Sequence, residues 1–184
     1  MSSEIWWDAY AQGSRTFYLA ASASGLLYVE LNDTWQTFCQ AIGRLAPGAL
    51  LVHHPSAMAP YLAQYREYFQ GERTLFSIPL DMRGTPFQLA VWQALLAIPY
   101  GSTRSYSDIA RAIGRPRASR AVGQANHANP LAIVVPCHRV VGQQGQLTGY
   151  GGGLSLKSEL LELENRTQAG SATDPQGLSR HRAQ

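Results

Sequence analysis

Cys137 and His138 stand side by side in NPLAIVVPCHRVVG, residues 129–142, after an apolar run and a proline, with Arg139 next. A thiol is a strong, soft nucleophile only as the thiolate, and a free cysteine with a pKa of about 8.5 supplies little of it at neutral pH. An imidazole, a helix N-terminus or local positive charge has to depress that value. His138, Arg139 and the basic sequence around them are the candidates. Adjacent side chains of an extended chain point to opposite faces, so Cys137 and His138 cooperate only across a turn or through a bridging water. The dipeptide alone leaves two readings open, a reactive nucleophile and an inert buried thiol.

Other chemistry-bearing residues are sparse. The second cysteine, Cys39, sits inside the helical pattern TWQTFCQAIGRL and reads as a small buried hydrophobe. Two cysteines make no disulfide framework, and neither has zinc-ligand spacing. His53 and His54, ahead of Pro55, lack a nearby acid or thiol to complete a metal set. No metal and no cofactor are expected. A Gly-rich strand-to-helix loop of the dinucleotide type is also missing, which argues against a methyltransferase using S-adenosylmethionine.

The elements that must position this pair can be read from composition and pattern. At 184 residues and 45% apolar, the chain can bury a core as one domain or two small ones. No run reaches the roughly 18 apolar residues of a membrane span, and MSSEIWWDAY has no basic stretch leading into an apolar one. A cytoplasmic, reducing address and no membrane partner follow as expectations. The net charge of +3 is unevenly held: residues 1–81 have four Arg against seven acids, whereas residues 82–158 have seven Arg and one Lys against Asp108 alone. So basic a segment suits a polyanion, because each neutralised phosphate releases counterions.

TFYLAASASGLLYVEL predicts a hairpin, ALLVHH and FSIPLDM two further strands, and DTWQTFCQAIGRL and SAMAPYLAQYREYFQG two helices. The fold class is therefore an α/β N-terminal domain, a small antiparallel sheet with helices, over residues 1–82. A mainly α domain over 83–166 follows, and a tail without periodicity, expected to be disordered, over 167–184. TPFQLAVWQALLAIPYG carries a capping box of Thr85 and Gln88 with Pro86 at the first helical position. SYSDIARAIG and RPRASRAVGQAN then read as the two helices of a helix-turn-helix, joined by the turn IGRPR. Ser119, Ala121 and Gly123 make the second helix thin enough to approach a groove, and Arg120 is the long side chain among them. Arg104, Arg111, Arg115 and Arg117 are candidates for phosphate contacts. LAIVV reads as a buried strand before the cysteine, and LSLKSELLELEN as a final amphipathic helix on which Lys157 is solvated.

NPLAIVVPCHRVVG, together with GTPFQLAVW, SYSDIA, SRAVGQAN and TGYGGGLSLKSELLELE in this order, resembles the O6-alkylguanine-DNA alkyltransferases, also called methylated-DNA-protein-cysteine methyltransferases. The resemblance spans roughly residues 84–165. It implies a protein that flips O6-alkylguanine, and O4-alkylthymine, out of duplex DNA and takes the alkyl group irreversibly onto Cys137, one turnover per molecule. His138 then resembles the base acting through a water, Glu164 the carboxylate orienting it, and Asn129 the brace of the active-site turn. Tyr106 resembles the residue that pushes the phosphate and donates to guanine N3, and Arg120 the finger filling the gap in the stack. Tyr150, Val140 and Gly151 resemble the lining of the base pocket; some family members have a serine at the last position, so a roomier pocket is expected here. Ser119, Ala121, Gly123 and Arg117 join Arg120 and Tyr106 on the DNA-facing surface. The partner implied is double-stranded DNA with alkylated bases, bound by a monomer, with cooperative assembly along DNA left open.

The chemistry fits these residue types. Displacement at an sp3 carbon of an aryl-like ether needs a soft nucleophile and a protonated leaving group. Two other readings compete. One is a helix-turn-helix protein that binds alkylated DNA, or regulates through its thiol, without reacting; family relatives of that kind have tryptophan in place of the acceptor. The other is a cysteine hydrolase, which requires an oxyanion hole and direct contact between histidine and sulfur.

Overall fold

The computed structural model describes residues 3–31 and 34–172. Three strands, β1 (Glu4–Gln12), β2 (Arg15–Ser22) and β3 (Gly25–Glu30), form an antiparallel meander, and β4 (Leu50–His53) joins β1 in parallel, giving the order β3-β2-β1-β4. The expected hairpin is β2-β3. Nothing in the sequence reading anticipates β1, because this inner strand is covered on both faces. Ile5 and Trp7 pack toward α1 (Trp35–Leu45) and Trp6 and Tyr10 toward α2 (Pro55–Phe69), so EIWWDAYAQ lacks the alternation that marks a half-buried strand.

FSIPLDM is not a strand. Leu80 makes an isolated bridge to Leu26, with the Leu26 amide donating to Pro79 O and the Asp81 amide to Leu26 O, both at 2.8 Å. Pro79 has no amide with which to extend the ladder. The close approach fixes Gly25: with φ at +138°, a Cβ there would lie 2.4 Å from the Pro79 carbonyl.

α3 (Pro86–Leu96) begins with the anticipated capping box, in which Thr85 accepts from the Gln88 amide and Gln88 from the Thr85 amide. α4 (Tyr106–Ala112) starts with a second box formed by Ser105 and Asp108. Gly114, at φ +70°, turns the chain, and α5 (Ser119–His127) follows. The turn read over IGRPR, residues 113–117, is present; α5 starts only at Ser119, later than the stretch RPRASRAVGQAN suggests, because the Arg115 amide is still occupied capping Ala110 O. β5 (Arg104–Ser105) pairs in parallel with β6 (Val140–Val141), which sets the start of α4 beside the segment after Cys137.

α6 (Gly153–Ala172) runs beyond the expected limit of the final helix, so the chain is helical through 167–172; the rest of the expected tail, 173–184, lies outside the described residues. One core unites the two halves: Phe17, Leu19, Tyr65 and Tyr68 pack in the same cluster as Trp92, Leu95, Cys137 and Leu160. Across their surface, Arg15 makes two hydrogen bonds to Glu159, at 2.5 and 2.8 Å.

Candidate active site and nucleic-acid interface

The apolar run LAIVV is buried, as read, but it is not a strand. Ile133 has φ +74°, and the Val135 amide reaches back to Leu131 O at 2.8 Å. Asn129 makes this irregular path possible by accepting from the Leu131 amide (3.0 Å) and donating to Val135 O (2.8 Å). A left-handed β-branched residue is costly backbone, and here it is held by the groups next to the cysteine. The run ends in a 3-10 turn over Cys137–Arg139. Consecutive side chains in such a turn differ by about 120° rather than 180°, so Cys137 and His138 no longer face opposite ways.

Cys137 is 5% exposed, and its sulfur receives the Asn129 amide at 3.1 Å. From α5, Asn126 donates to the Cys137 carbonyl at 3.3 Å, which ties the helix that bears Arg120 to the turn that bears the thiol. His138 is fully buried, and its Nε2 lies 2.8 Å from Glu164 Oε1. The same carboxylate accepts from Arg139 at 2.9–3.2 Å, from Tyr68 Oη at 2.7 Å and from the Gly101 amide at 2.9 Å. Arg139 also donates to Ile98 O at 2.7 Å, with its guanidinium over the Tyr100 ring. It is therefore committed to Glu164 and is not a cation facing the thiol.

Burial pushes Glu164 upward, yet the hydrogen bonds and charges of His138 and Arg139 prevail and hold it at about 2. An ionised Glu164 makes Nε2 the protonated nitrogen of His138. The free lone pair then falls on Nδ1, which is buried without a protein partner. Burial, helped by the charges of Arg139 and Lys157, keeps the His138 pKa below its ordinary value against the pull of Glu164. Burial also raises the Cys137 thiol, while the Asn129 amide and the Lys157 charge act to lower it. The resting site thus holds a neutral thiol and a neutral imidazole. The expectation of a thiol depressed by its surroundings is overturned, and its proton has to be removed during the reaction.

Lys157 corrects another expectation. It is completely buried, with Nζ donating to Val140 O at 2.5 Å and Thr148 O at 2.9 Å. Thr148 in turn donates its hydroxyl to Tyr106 Oη at 3.1 Å, which leaves the phenolic proton of Tyr106 available. Tyr150 is buried, its ring edge-on to His138 at 6.5 Å and its hydroxyl unpartnered. Gly151 lines a cleft of about 190 Å³ together with Asn129, Ala132, Leu31 and His127, and a Cβ at Gly151 would touch nothing within 4 Å.

Outside this centre, Arg117, Arg120 and Ala121 are exposed, and Ser119 and Gly123 are half-buried. Gly123 faces the Tyr106 ring, where an added Cβ would sit at 3.8 Å. Arg111 pairs with Asp108, so it is less available to a phosphate than Arg104, Arg115 or Arg117. His53 does have an acid beside it, Asp8 at 3.2 Å, contrary to the sequence reading, and His54 caps α2 by accepting from the Ala57 amide. The groups that sequence reasoning missed are Tyr68, Asn126 and the buried role of Lys157. Only the last leaves a trace: Lys157, Leu160, Leu161 and Glu164 fall at i, i+3, i+4 and i+7, on one face of α6.

Residues 86–166 match the family described as 6-O-methylguanine DNA methyltransferase, DNA binding domain. An inducible methylated-DNA-protein-cysteine methyltransferase of Bacillus subtilis is 44% identical over 166 residues, 90% of this chain and 93% of that protein. A methylated-DNA-protein-cysteine methyltransferase of Mycobacterium tuberculosis is 60% identical over 110 residues, 60% of this chain and 67% of that protein. Among solved structures, Mycobacterium tuberculosis OGT in complex with DNA superposes with a TM-score of 0.76 at 45% identity, over 88% of this chain and 94% of that one.

Proposed function

This chain belongs to the methylated-DNA-protein-cysteine methyltransferases, and from that premise we infer how its own residues carry out alkyl transfer from DNA to Cys137. The observation that supports the reading best is the buried series from Glu164 to His138 to an unpartnered Nδ1, beside a thiol held by Asn129. Among the described residues His138 makes no direct hydrogen bond to the sulfur, so one water joins Nδ1 to the thiol and relays its proton. The S–C bond then forms as the C–O6 bond of the lesion breaks. The thiol proton ends on His138, facing the carboxylate that stabilises the imidazolium. Tyr106 supplies a proton at guanine N3, so the purine departs uncharged, and the tyrosinate is reprotonated from solvent. General acid and base assistance of this kind typically contributes about 10²- to 10⁴-fold.

Residues 83–166 are the unit that holds DNA. α5 enters the groove, with Ser119, Ala121 and Gly123 allowing close approach, Arg117 against phosphate and Arg120 occupying the space of the everted base. Val140, Tyr150 and Gly151 line the pocket for that base, O6-alkylguanine or O4-alkylthymine. The thioether formed has no carbonyl for water to attack, so each molecule acts once. Free thiols at Cys39 and Cys137 suit a reducing compartment, the cytoplasm, where the partner is duplex DNA.

Mass spectrometry tests the reading. An excess of O6-methylguanine duplex should add one methyl group at Cys137 of the wild type and none to Cys137→Ala; an unmodified wild-type thiol in reduced, folded protein would refute it.

A further inference from the structure

The α/β half reaches the Glu164–His138 pair through one hydroxyl. Tyr68 and Tyr65 lie one turn apart on α2, both fully buried, and both reach into the other half of the molecule. Tyr65 donates to the Ala132 carbonyl at 2.8 Å, a backbone contact that phenolic burial would require anywhere. Tyr68 does something different. Its hydroxyl donates to Glu164 Oε1 at 2.7 Å and lies 3.4 Å from His138 Nε2, so it shares the one carboxylate oxygen that the imidazole uses. Its ring is fixed by Phe69 at 5.5 Å, Phe76 at 5.4 Å and Tyr100 at 6.1 Å between centroids. Phenylalanine would fill the same space and avoid burying a hydroxyl. What only the hydroxyl adds is control of Oε1.

We propose that Tyr68 is a positioning residue for alkyl transfer, holding Glu164 Oε1 so that His138 presents Nδ1 toward the thiol. The proposal rests on the transfer mechanism above. His138 is faced by Tyr68 from α2, by Glu164 and Lys157 from α6, by Cys137 and Arg139 of its own turn, and by Tyr150. Of these, Tyr68 alone removes electron density from the oxygen that receives Nε2–H without adding charge. Its loss concentrates the carboxylate's negative charge on the imidazole. The imidazolium becomes easier to form, and the base form is lost at a higher pH.

The test is single-turnover methylation of Cys137 by O6-methylguanine duplex, followed by quench and mass spectrometry across pH 5–8, for wild type, Tyr68→Phe and Tyr65→Phe. For Tyr68→Phe we expect the plateau rate to fall about tenfold, as expected when a general base loses its orientation. The acid-side inflection should rise by about half a pH unit. Affinity for the methylated duplex, measured in the Cys137→Ala background, should be unchanged. Tyr65→Phe, which also deletes one buried hydroxyl, should lower the melting temperature without moving the inflection. Tyr68→Phe reacting at the wild-type rate would overturn the proposal. So would a slower Tyr68→Phe with an unmoved inflection, or one whose loss is matched by weaker DNA binding. Failure of the wild type itself to be methylated would instead refute the mechanism on which the proposal rests.

Discussion

At the scale of single residues, the site is built from buried polar groups, most of them held by hydrogen bonds and a few, His138 Nδ1 among them, left without a protein partner, which is why small changes should have large effects. Lys157 is the clearest instance. An ammonium inside the molecule is costly, burial pushes its pKa down, and hydrogen bonds to two carbonyls offset part of that cost. Lys157→Met keeps most of the volume but strands both carbonyls and removes the cation that lowers the thiol. We expect a loss of about 2–3 kcal/mol in stability. The methyl transfer rate should fall at least tenfold at neutral pH and partly recover in alkali, readable by denaturant melts and single-turnover assays. Gly151 is the opposite case, a position where nothing is packed. Gly151→Ser should fold as well as the wild type, within about 0.5 kcal/mol. Competing O6-benzylguanine and O6-methylguanine duplexes should show the benzyl adduct losing ground in the variant. A benzyl adduct that reacts far faster with Gly151→Ser than with the wild type would contradict the roomy-pocket reading.

At the scale of elements, short-range signals were legible and long-range ones were not. The boxes at Thr85 and Ser105 and the stop at Gly114 are local hydrogen-bond and dihedral requirements, so the sequence announces α3, α4 and the turn after them. β1 is silent because both of its faces are covered. LAIVV misleads because its path is set by the Asn129 side chain, whose control over the backbone no periodicity reports. Within the site, Cys137, His138, Glu164 and Asn129, which the fold brings together, are pointed to by a run of family motifs. Tyr68 is not, since its partners lie 70 and 96 residues further along the chain. α5 combines both kinds of information: its thin outer face is written in the sequence, while its tie to the Cys137 carbonyl through Asn126 appears only in the fold. On the proposed reading, Arg120, exposed on that helix, serves to open the duplex rather than to do chemistry. Arg120→Ala should slow repair of duplex by about tenfold or more, since filling a vacated stack offsets a few kcal/mol of unstacking. Reaction with free O6-benzylguanine should be nearly unaffected. Equal duplex rates for variant and wild type would remove the finger role.

At the scale of the whole molecule, the two halves share one core and meet at Glu164, so the charge network to which the proposed mechanism assigns transfer also ties the halves together. Two groups then govern stability in acid. His138 is neutral in the folded protein with its pKa depressed, and Glu164 is ionised with its pKa depressed to about 2. In both cases the unfolded chain binds the proton more readily, so stability is complete above the unfolded values and falls as the pH drops. The loss begins below about 6.5 through His138 and deepens from about 4.5 toward 2 through Glu164, whose share is on the order of 3 kcal/mol. Glu164→Gln should be less stable at neutral pH and should lose less between pH 5 and 3, a difference visible in melts at each pH. Alkylation acts on the same structure from the other side. Cys137 is buried at the junction of the Asn129 brace, the Asn126 tie and the strained Ile133 backbone. An added methyl group has to find room in a packed turn and displaces the Asn129 amide from the sulfur. Overpacking of this kind costs about 1–3 kcal/mol. Protein reacted to completion with O6-methylguanine duplex and then freed of DNA should therefore melt several degrees below the unreacted protein, as expected for a chain of this size. An unchanged or raised melting temperature would mean that the turn has space for the adduct, and that the spent protein keeps the packing of the active one.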